Sequence, residues 1–387
     1  MRSKSFILLN VLIVVAALCH FTFAQEPLQC TSIVLTHWMT PDEFLRRSEI
    51  GRGFTPTPPP PAPVTNLAEF NYNEGVLIRY PFGIPMALIK KMSEVGIVIT
   101  IVANQSAQNT VYNQYVNNGV NLTNCSFLIA PTDSYWTRDY GPWFVINGEN
   151  KVGIVDFPYN RPRPSDDDIP VKMASFMDVP LYGMNIIHTG GNYMCDGMEA
   201  AASTNLVYSE NPSLSPSQIH QMMNDYLGII NYHVRPDPNG TYIDHIDCWA
   251  KFLDVDKILV RQVPSSHPQY NLIEQAAAYW QSAISSYGTP YQVFRVNTPN
   301  NQPYTNSFIL KDHVFVPFTG NTLYDNEALQ AYQNAMPGYQ IIGVYQNPST
   351  PWESTDALHC RTHEVADKYM LFIKHLPIVH TQPCDED

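Results

Sequence analysis

Residues 143–157 read WFVINGENKVGIVDF, and this stretch contains the pattern that decides the fold. Two apolar runs, Trp143–Ile146 and Val152–Phe157, flank Asn147-Gly148, a pair that favours a type I′ hairpin turn. An amphipathic helix near Asp168–Met177 and a further strand near Asn185–His188 follow. The stretch therefore predicts a repeating unit made of a β-hairpin, a helix and a third strand.

Strands and helices recur in this order along the chain, in five passes. Regular self-similarity of this kind predicts a radial repeat architecture, with an ordinary doubly wound sheet as the alternative that periodicity leaves open. The other predicted elements are strand Gly75–Tyr80, helix Met86–Val95 and strand Ile97–Val102; strand Asn205–Tyr208, helix Pro216–Leu227 and strand Ile229–His233; strands Lys251–Leu253 and Ile258–Gln262, helix Gln269–Tyr287 and strand Tyr291–Val296; strands Ser307–Leu310 and His313–Pro317, helix Tyr324–Ala335 and strand Gln340–Val344.

The first 24 residues have the composition of a signal peptide. Arg2 and Lys4 precede an apolar run from Phe6 to Leu18, and small residues near Ala24 offer a cleavage site. The run is shorter than the ~18–20 residues that span a bilayer, although an uncleaved anchor is the alternative. We expect residues 1–24 to be removed and the mature protein to be secreted, either extracellular or periplasmic, with no membrane span.

Residues 25–64 are expected to form an N-terminal extension, in which the proline-rich stretch from Pro56 to Pro63 reads as an extended polyproline spacer. Residues 65–387 then form the main folded domain. The net charge of −13 argues against nucleic acid and anionic membranes as partners and would suit a cationic ligand. The cysteines show neither a CxxC pair nor a zinc signature, and their disulfide pairing stays open.

Four segments interrupt the structural rhythm with dense polar and aromatic residues, each at the end of a predicted strand or beside it. Loops in such positions commonly hold functional groups. These segments include Cys360, which is flanked by His359, Arg361 and His363. Basic groups of this kind lower the pKa of a thiol. The segments are WTRDYGPW at 136–143, HTGGN at 188–192, YIDHID at 242–247 and LHCRTH at 358–363.

Together these groups suit one type of reaction better than others. A thiol nucleophile, a histidine and carboxylates at Asp139 and Asp247 make a poor peptidase, because acyl transfer needs an oxyanion hole rather than extra negative charge. Carboxylates grip a planar cation through paired hydrogen bonds, so the same set suits the hydrolysis of a guanidinium.

The motifs WTRDYGPW, HTGGN, HIDxWxKF and LHCRTHEV, in this order, resemble the guanidino-group-modifying (pentein) superfamily. Within it, the chain is most similar to the Porphyromonas-type peptidylarginine deiminases, which are related to agmatine deiminases. The resemblance spans roughly residues 42–380 and makes residues 65–387 the deiminase catalytic domain. It implies an α/β fold, a five-bladed propeller of ββαβ-type units with pseudo-fivefold symmetry, and covalent catalysis without metal or other cofactor.

The resemblance also implies roles for individual residues. Cys360 matches the nucleophile, His245 the general acid and base, and Asp139 and Asp247 the carboxylates that hold the guanidinium. The residues expected to line the substrate site are Trp136, Tyr242, Ile243 and Asn306, together with Arg161 and Arg163. In peptide-acting relatives the two arginines bind the terminal carboxylate of the substrate, and two residues so spaced on an extended segment project to one face.

These matches lead to the hypothesis of a secreted deiminase that converts peptidyl-arginine, preferably at a peptide C-terminus, to citrulline. Its partners would be peptides or proteins that contain arginine. Asp166–Asp168 could instead pair with the two arginines, which would make the arginine pair structural. An enzyme for agmatine or free arginine, and an inactive secreted binding protein on the same scaffold, are the alternative functions.

Overall fold

The computed structural model describes residues 36–240 and 243–371. The predicted signal peptide, Cys30, Cys384 and the expected substrate-site residue Tyr242 lie outside the described residues. Within those two ranges no helix combines the length and the apolar character needed to cross a membrane. The described cysteines Cys125, Cys195, Cys248 and Cys360 are free thiols.

In the described ranges, short strands alternate with helices along the chain. The strands are β1 Thr65–Asn66, β2 Gly75–Arg79, β3 Ile97–Val102, β4 Cys125–Ile129, β5 Trp143–Ile146, β6 Val152–Asp156, β7 Leu181–Gly183, β8 Met194–Cys195, β9 Ala200–Thr204, β10 Asn231–Arg235, β11 Ala250–Asp254, β12 Lys257–Gln262, β13 Gln292–Asn297, β14 Phe308–Leu310, β15 His313–Phe318, β16 Gln340–Tyr345 and β17 His363–Val365. The α-helices are α1 Pro41–Leu45, α2 Met86–Val95, α3 Gln105–Asn118, α4 Thr137–Tyr140, α5 Pro164–Asp167, α6 Ile169–Met177, α7 Leu206–Glu210, α8 Pro216–Leu227, α9 Tyr270–Ser282 and α10 Thr322–Ala335.

The strands form five sheets of three or four strands. Each sheet contains an inner antiparallel pair, and the second strand of that pair is followed by a helix that leads to a parallel third strand. The inner pairs are β17–β2, β5–β6, β8–β9, β11–β12 and β14–β15. Five ββαβ-type units in succession are the blades of a propeller, so the predicted pentein fold is confirmed.

The first blade is built from both ends of the domain. Its middle strands β2 and β3 come early in the chain, whereas its inner strand β17 pairs antiparallel with β2 after the other four blades are complete. All five residues of β2 are buried, since the strand is covered on both faces. Pairing of β17 with β2 therefore closes the ring and leaves the residues just before β17 at its inner side.

Helices α2 and α8 begin and end where the sequence predicts. In α8, Ser215 and Gln218 form a capping box, Pro216 occupies the first turn, and Gly228 ends the helix in the left-handed conformation. Its buried positions Ile219, Met223 and Leu227 follow the helical period and contact the third blade. Such strong local signals make these helix bounds predictable.

Two predicted strands are wrong. The segment near Asn185–His188 makes only an isolated bridge between Tyr159 and His188, and the third strand of its blade is β7. Asn205–Tyr208 instead enters helix α7, while the strand lies earlier, in β9. This strand reads AAAST and is wholly buried, and alanine gives little sign of a strand although its small side chain fits a crowded sheet.

The predicted hairpin after β5 exists, but its turn is not of type I′. Ile146 pairs with Val152, so the loop has five residues, and the left-handed residue is Asn150 with φ 56°. Gly148 is required for another reason, because a Cβ atom there would lie 2.1 Å from the carbonyl oxygen of Ala62. The proline-rich stretch thus packs closely against this blade, where the Gly148 amide also donates to the Pro61 carbonyl at 2.6 Å.

A buried carboxylate links the blades beneath the motif residues. The Glu69 side chain, 10% exposed, pairs with Lys251 at 2.8 Å, with Arg138 at 3.2 Å and with His359 at 2.6 Å. It also accepts the backbone amide of Ile309 at 2.6 Å. Burial raises the pKa of Glu69, but the surrounding cations outweigh burial and hold the pKa well below its usual range.

Replacing Glu69 by Gln is expected to lower the free energy of unfolding by about 3–5 kcal/mol, because the substitution leaves buried cations uncompensated. Chemical unfolding of the purified variant measures this change. Glu94→Gln is the matched control, since Glu94 makes an exposed pair with Lys91. Equal losses in the two variants would contradict a central structural role for Glu69.

Candidate active site

The motif residues share one structural position, a single turn that immediately precedes the inner strand of a blade. Helix α4 precedes β5, and three short 3-10 turns, Gly190–Asn192, Ile246–Cys248 and His359–Arg361, precede β8, β11 and β17. Asn306 lies just before β14 in the remaining blade. The repeat of the fold therefore brings side chains from five distant chain segments to the centre of the ring.

Cys360, the predicted nucleophile, is held by Asn306. The Asn306 side-chain oxygen accepts the backbone amides of Cys360 and Ala357, at 3.2 and 3.0 Å. Its side-chain NH2 group lies 3.2 Å from the Cys360 sulfur and can donate to a thiolate. Asn306 therefore fixes the turn and offers the sulfur a stabilising donor.

Asp247 lies on the other side of the sulfur. The Cys360 thiol donates to Asp247 Oδ2 at 3.4 Å, and the same oxygen is 2.7 Å from His359 Nδ1. The other ring nitrogen of His359 contacts Glu69. His359 thus orients Asp247, while Asp247 Oδ1 has no hydrogen-bond partner among the described residues.

Asp139 and His245 form the opposite wall. Asp139 Oδ1 lies 3.7 Å from His245 Nδ1, too far for a hydrogen bond, and Tyr159 donates to Asp139 Oδ2 at 3.4 Å. Asp139 Oδ1 and both ring nitrogens of His245 are buried without a hydrogen-bond partner in the described ranges. Buried polar atoms left in this way are costly unless a ligand satisfies them.

The two glycines of HTGGN allow this wall to assemble. A Cβ atom at Gly190 would lie 2.1 Å from the Arg138 carbonyl oxygen. At Gly191 it would lie 2.5 Å from His245 Nδ1 and 2.8 Å from Asp139 Oδ1. The groups that approach this turn are the candidate acid–base residue and its carboxylate partner.

Gly191→Ala is expected to lower kcat by roughly 10²-fold, because displacing a reacting group by about 1 Å has that order of effect. Steady-state ammonia release measures kcat. An unfolding transition like that of the native protein is the control for correct folding. A folded variant with native kcat would show that this contact does not position His245 or Asp139.

The site also contains a residue that the sequence did not predict, His37. Its ring stacks on Trp136 with centroids 4.0 Å apart and planes 7° from parallel. The ring donates to Asp139 Oδ2 at 2.5 Å and, through its other nitrogen, to Asp356 Oδ2. Trp136 therefore forms one face of a pocket for a flat cation, consistent with its predicted place at the substrate site.

Arg161 and Arg163 are buried in the same wall. Arg161 donates through Nε and one terminal nitrogen to the His37 carbonyl, at 3.2 and 3.1 Å. Arg163 pairs with the Glu43 carboxylate at 2.6 and 3.2 Å and donates to the Thr36 carbonyl at 2.7 Å. The carboxylate that Arg163 holds is thus Glu43, whereas Asp166 accepts hydrogen bonds from Ser134.

The remaining predicted residue, Ile243, is buried. Sequence reasoning missed three residues of this region, His37, Glu43 and Asp356. Thr40-x-x-Glu43 matches a capping box and could have revealed helix α1, and Asp356 lies four residues before Cys360. No pattern in the sequence indicates that His37 returns to the centre of the ring.

Comparisons with known proteins agree with the fold and the motifs. The sequence model of the Porphyromonas-type peptidyl-arginine deiminase family matches residues 68–365. The chain belongs to this family. A putative agmatine deiminase of Legionella pneumophila (strain Paris) is 24% identical over 272 residues, which cover 64% of this chain and 77% of that protein.

Two solved structures show the same fold. The putative arginine deiminase from Porphyromonas gingivalis superposes with a TM-score of 0.68 and 18% identity, covering 79% of this chain and 99% of that one. The agmatine deiminase of Enterococcus faecalis superposes with a TM-score of 0.69 and 20% identity, covering 78% and 95%. By family, this deiminase is a hydrolase of guanidino C–N bonds.

The pKa of the Cys360 thiol differs from the one that the sequence predicts. Burial raises the pKa of the Cys360 thiol well above its usual value, and Asp247 adds to that shift. The flanking residues do not oppose it, because His359 is engaged by two carboxylates, Arg361 donates to the carbonyls of Gly83, Thr350 and Pro351, and burial lowers the pKa of His363 to about 4. The prediction that these neighbours lower the thiol pKa is therefore wrong.

His245 is neutral in this state of the deiminase. Burial lowers its pKa to about 4, which outweighs the effect of Asp139, and the His37 cation lowers it further. A second imidazolium is unfavourable while His37 occupies the site.

Two sets of side chains, which share His37, have possible metal-ligand atoms within 4.8 Å of one another. One set is His37, Asp356 and Cys360, and the other is His37, Asp139 and His245. His37 belongs to both sets, and both of its ring nitrogens contact carboxylates. Burial lowers the pKa of His37, but Asp139 and Asp356 outweigh burial and raise it to about 10. The two carboxylates therefore stabilise His37 as an imidazolium.

The raised pKa of His37 predicts a pH-dependent contribution to stability. The contribution is complete below pH 6.5, the ordinary pKa, and is lost as the pH rises through about 10. His37→Gln should therefore destabilise the deiminase at pH 6 and have much less effect above pH 10.

Urea unfolding of both proteins between pH 6 and pH 10.5 measures this difference. Asp139, Asp356, His245 and Cys360 face His37, so the difference in unfolding free energy between variant and native protein is the relevant quantity. His267→Gln serves as the control, because His267 lies near the surface. A difference independent of pH would rule out a charged His37.

Proposed function

We propose that this deiminase is an exported peptidylarginine deiminase that hydrolyses arginine at a peptide C-terminus to citrulline and ammonia. The observation that carries the proposal is the pairing of two subsites in one buried wall. Asp139 and Trp136 hold a flat cation, and Arg163 holds a carboxylate. A C-terminal arginine contains both groups, whereas agmatine has no carboxylate.

Arg161 and Arg163 are well placed to bind a carboxylate at the second subsite. The Arg163 guanidinium meets both oxygens of the Glu43 carboxylate, and Arg161 directs two donors at one carbonyl. Paired donors of this kind match a carboxylate in shape as well as charge. Asp166 forms hydrogen bonds with Ser134 and does not neutralise the arginine pair by direct contact.

The proposed reaction begins when a substrate guanidinium takes the position of the His37 ring. It presents an electrophilic carbon to Cys360, and the thiol proton is transferred to His245 as the sulfur attacks. The sulfur attacks the guanidinium carbon, a C–S bond forms, and protonated His245 gives its proton to the departing nitrogen. The C–N bond breaks, ammonia leaves, and an S-alkylthiouronium remains on Cys360.

Water completes the reaction. Neutral His245 accepts a proton from water as the oxygen attacks the thiouronium carbon. The added hydroxyl then loses its proton to solvent as the C–S bond breaks, citrulline leaves, and His245 returns its proton to the departing sulfur. Asp139 Oδ1 and Asp247 Oδ1, which lack hydrogen-bond partners in the described part of the chain, are the acceptors for the guanidinium nitrogens.

Cys360→Ala should abolish turnover, and His245→Ala should lower it by ~10²–10⁴-fold.

The substrate class is tested with three compounds: a peptide that ends in a free arginine, the same peptide as its C-terminal amide, and agmatine. We expect kcat/KM to be about 10–100-fold higher for the free acid than for the amide, the order of one charge-assisted hydrogen bond. Arg163→Met should bring the ratio between the two peptides close to one. The ratio is the readout, because other effects of the substitution act on both peptides.

The alternative is an agmatine deiminase, which the names of the relatives favour. A higher kcat/KM for agmatine than for the free-acid peptide would support that alternative and contradict the proposed substrate. An inactive binding protein would release no citrulline from any of the three compounds. Export is a proposal from the first 24 residues, and N-terminal sequencing of the protein from the culture medium tests it.

A further inference from the structure

A segment of the chain itself occupies the proposed substrate site. We define Thr36–Glu49 as the N-terminal segment; it comprises the stretch around His37, helix α1 and a 3-10 turn at Arg47–Glu49. His37 is completely buried, and so is nearly all of Glu43. The segment precedes the family match, which begins at residue 68.

His37 has the properties of a bound guanidinium. Its ring is flat, stacks face to face on Trp136, and carries a positive charge that two carboxylates satisfy in the plane of the ring. The candidate nucleophile and the candidate acid–base residue both lie close to this ring. The Cys360 sulfur is within 4.8 Å of a His37 ring nitrogen, and the centroid of the His245 ring, which is edge-on, is 5.1 Å from that of His37. A substrate guanidinium needs the same face, the same carboxylates and the same position.

Glu43 has the properties of a bound terminal carboxylate. It pairs with Arg163 through both oxygens, and Arg163 lowers its pKa although burial opposes this. Arg161 holds the carbonyl of His37, between the two charged groups. One segment thus satisfies both the cation subsite and the carboxylate subsite.

Local sequence fixes the spacing between the two groups. Thr40 caps α1 and Glu43 completes the capping box, with Pro41 in the first turn. The helix therefore presents the Glu43 carboxylate a fixed distance beyond His37. Downstream, Thr57 pairs with Gly183 in the second blade, so the segment is tethered and reaches the site without loss of translational freedom.

We propose that the N-terminal segment is an internal pseudosubstrate, which competes with the substrate for the site and lowers deiminase activity until the segment is displaced or removed. The inference rests on the proposed function, since it assigns the two subsites to a C-terminal arginine. Beyond Glu43 the side chains of Phe44 and Leu45 are exposed, at 55% and 81%, so few contacts hold the segment once His37 and Glu43 are released.

The experiment compares the full-length native protein with the variant His37→Ala/Glu43→Gln. Leu45→Ala is the matched control, because it alters the same helix at an exposed position. Two quantities are measured: kcat/KM for a peptide that ends in arginine, and the rate constant for alkylation of Cys360 by iodoacetamide, located by mass spectrometry. Alkylation reports access to the sulfur and does not require deiminase activity.

We expect both quantities to rise by about 10–100-fold in the double variant and to stay unchanged in Leu45→Ala, because each removed group made charge-assisted hydrogen bonds. A synthetic peptide of residues 36–49 should then inhibit the double variant competitively. Glu43→Gln alone, which preserves side-chain volume, should give a smaller rise and guards against misfolding of the double variant.

Equal alkylation rates and equal kcat/KM in native protein and both variants would overturn the pseudosubstrate proposal while leaving the proposed function intact. If the variants are alkylated faster but no protein releases citrulline, the segment does block the sulfur and the proposed reaction is wrong.

Discussion

Glu69 is the constraint on which the rest of the structure depends. Its largely buried carboxylate contacts Arg138, Lys251 and His359, which belong to the turns and strands of three different blades, and an amide of a fourth. Such a group is stable only when every partner is in place, since an uncompensated buried charge is costly. Because Arg138 adjoins Asp139, and His359 adjoins Cys360 and contacts Asp247, the network that joins the blades also aligns the reacting groups.

The charges around the site explain the protonation of its residues. Asp139 and Asp356 are matched by the imidazolium of His37. Burial and the His37 cation keep His245 neutral, whereas burial and the nearby carboxylates keep the Cys360 thiol protonated. A substrate guanidinium replaces one cation by another and conserves this balance. It differs from the histidine ring in bringing an electrophilic carbon to the sulfur and additional N–H groups to the carboxylate oxygens that lack partners. The site is therefore suited to a cation whether or not that cation reacts.

Much of the fold could be predicted because its signals are local. Helix α8 begins at a capping box and ends at a left-handed glycine, and the hairpin of β5 and β6 shows two apolar runs around a turn. The alanine-rich strand β9 has no comparable signal, since its place in the sheet follows from the space that neighbouring blades leave. The type of the turn after β5 could not be predicted locally either. Gly148 is needed there because the carbonyl of Ala62, far away in the chain, lies against it and leaves no room for a side chain.

The sequence by itself determined the family, the five repeated units and the candidate residues Cys360, His245, Asp139 and Asp247, because motif residues and hydrophobic periods are local features of the chain. Only the tertiary structure decided what surrounds them. Ring closure by β17 places Cys360 between Asn306 and Asp247, and burial there sets the protonation of the thiol. His37 and Glu43 reach their partners across more than one hundred residues, and contacts at that separation depend on the folded shape, which no local pattern encodes.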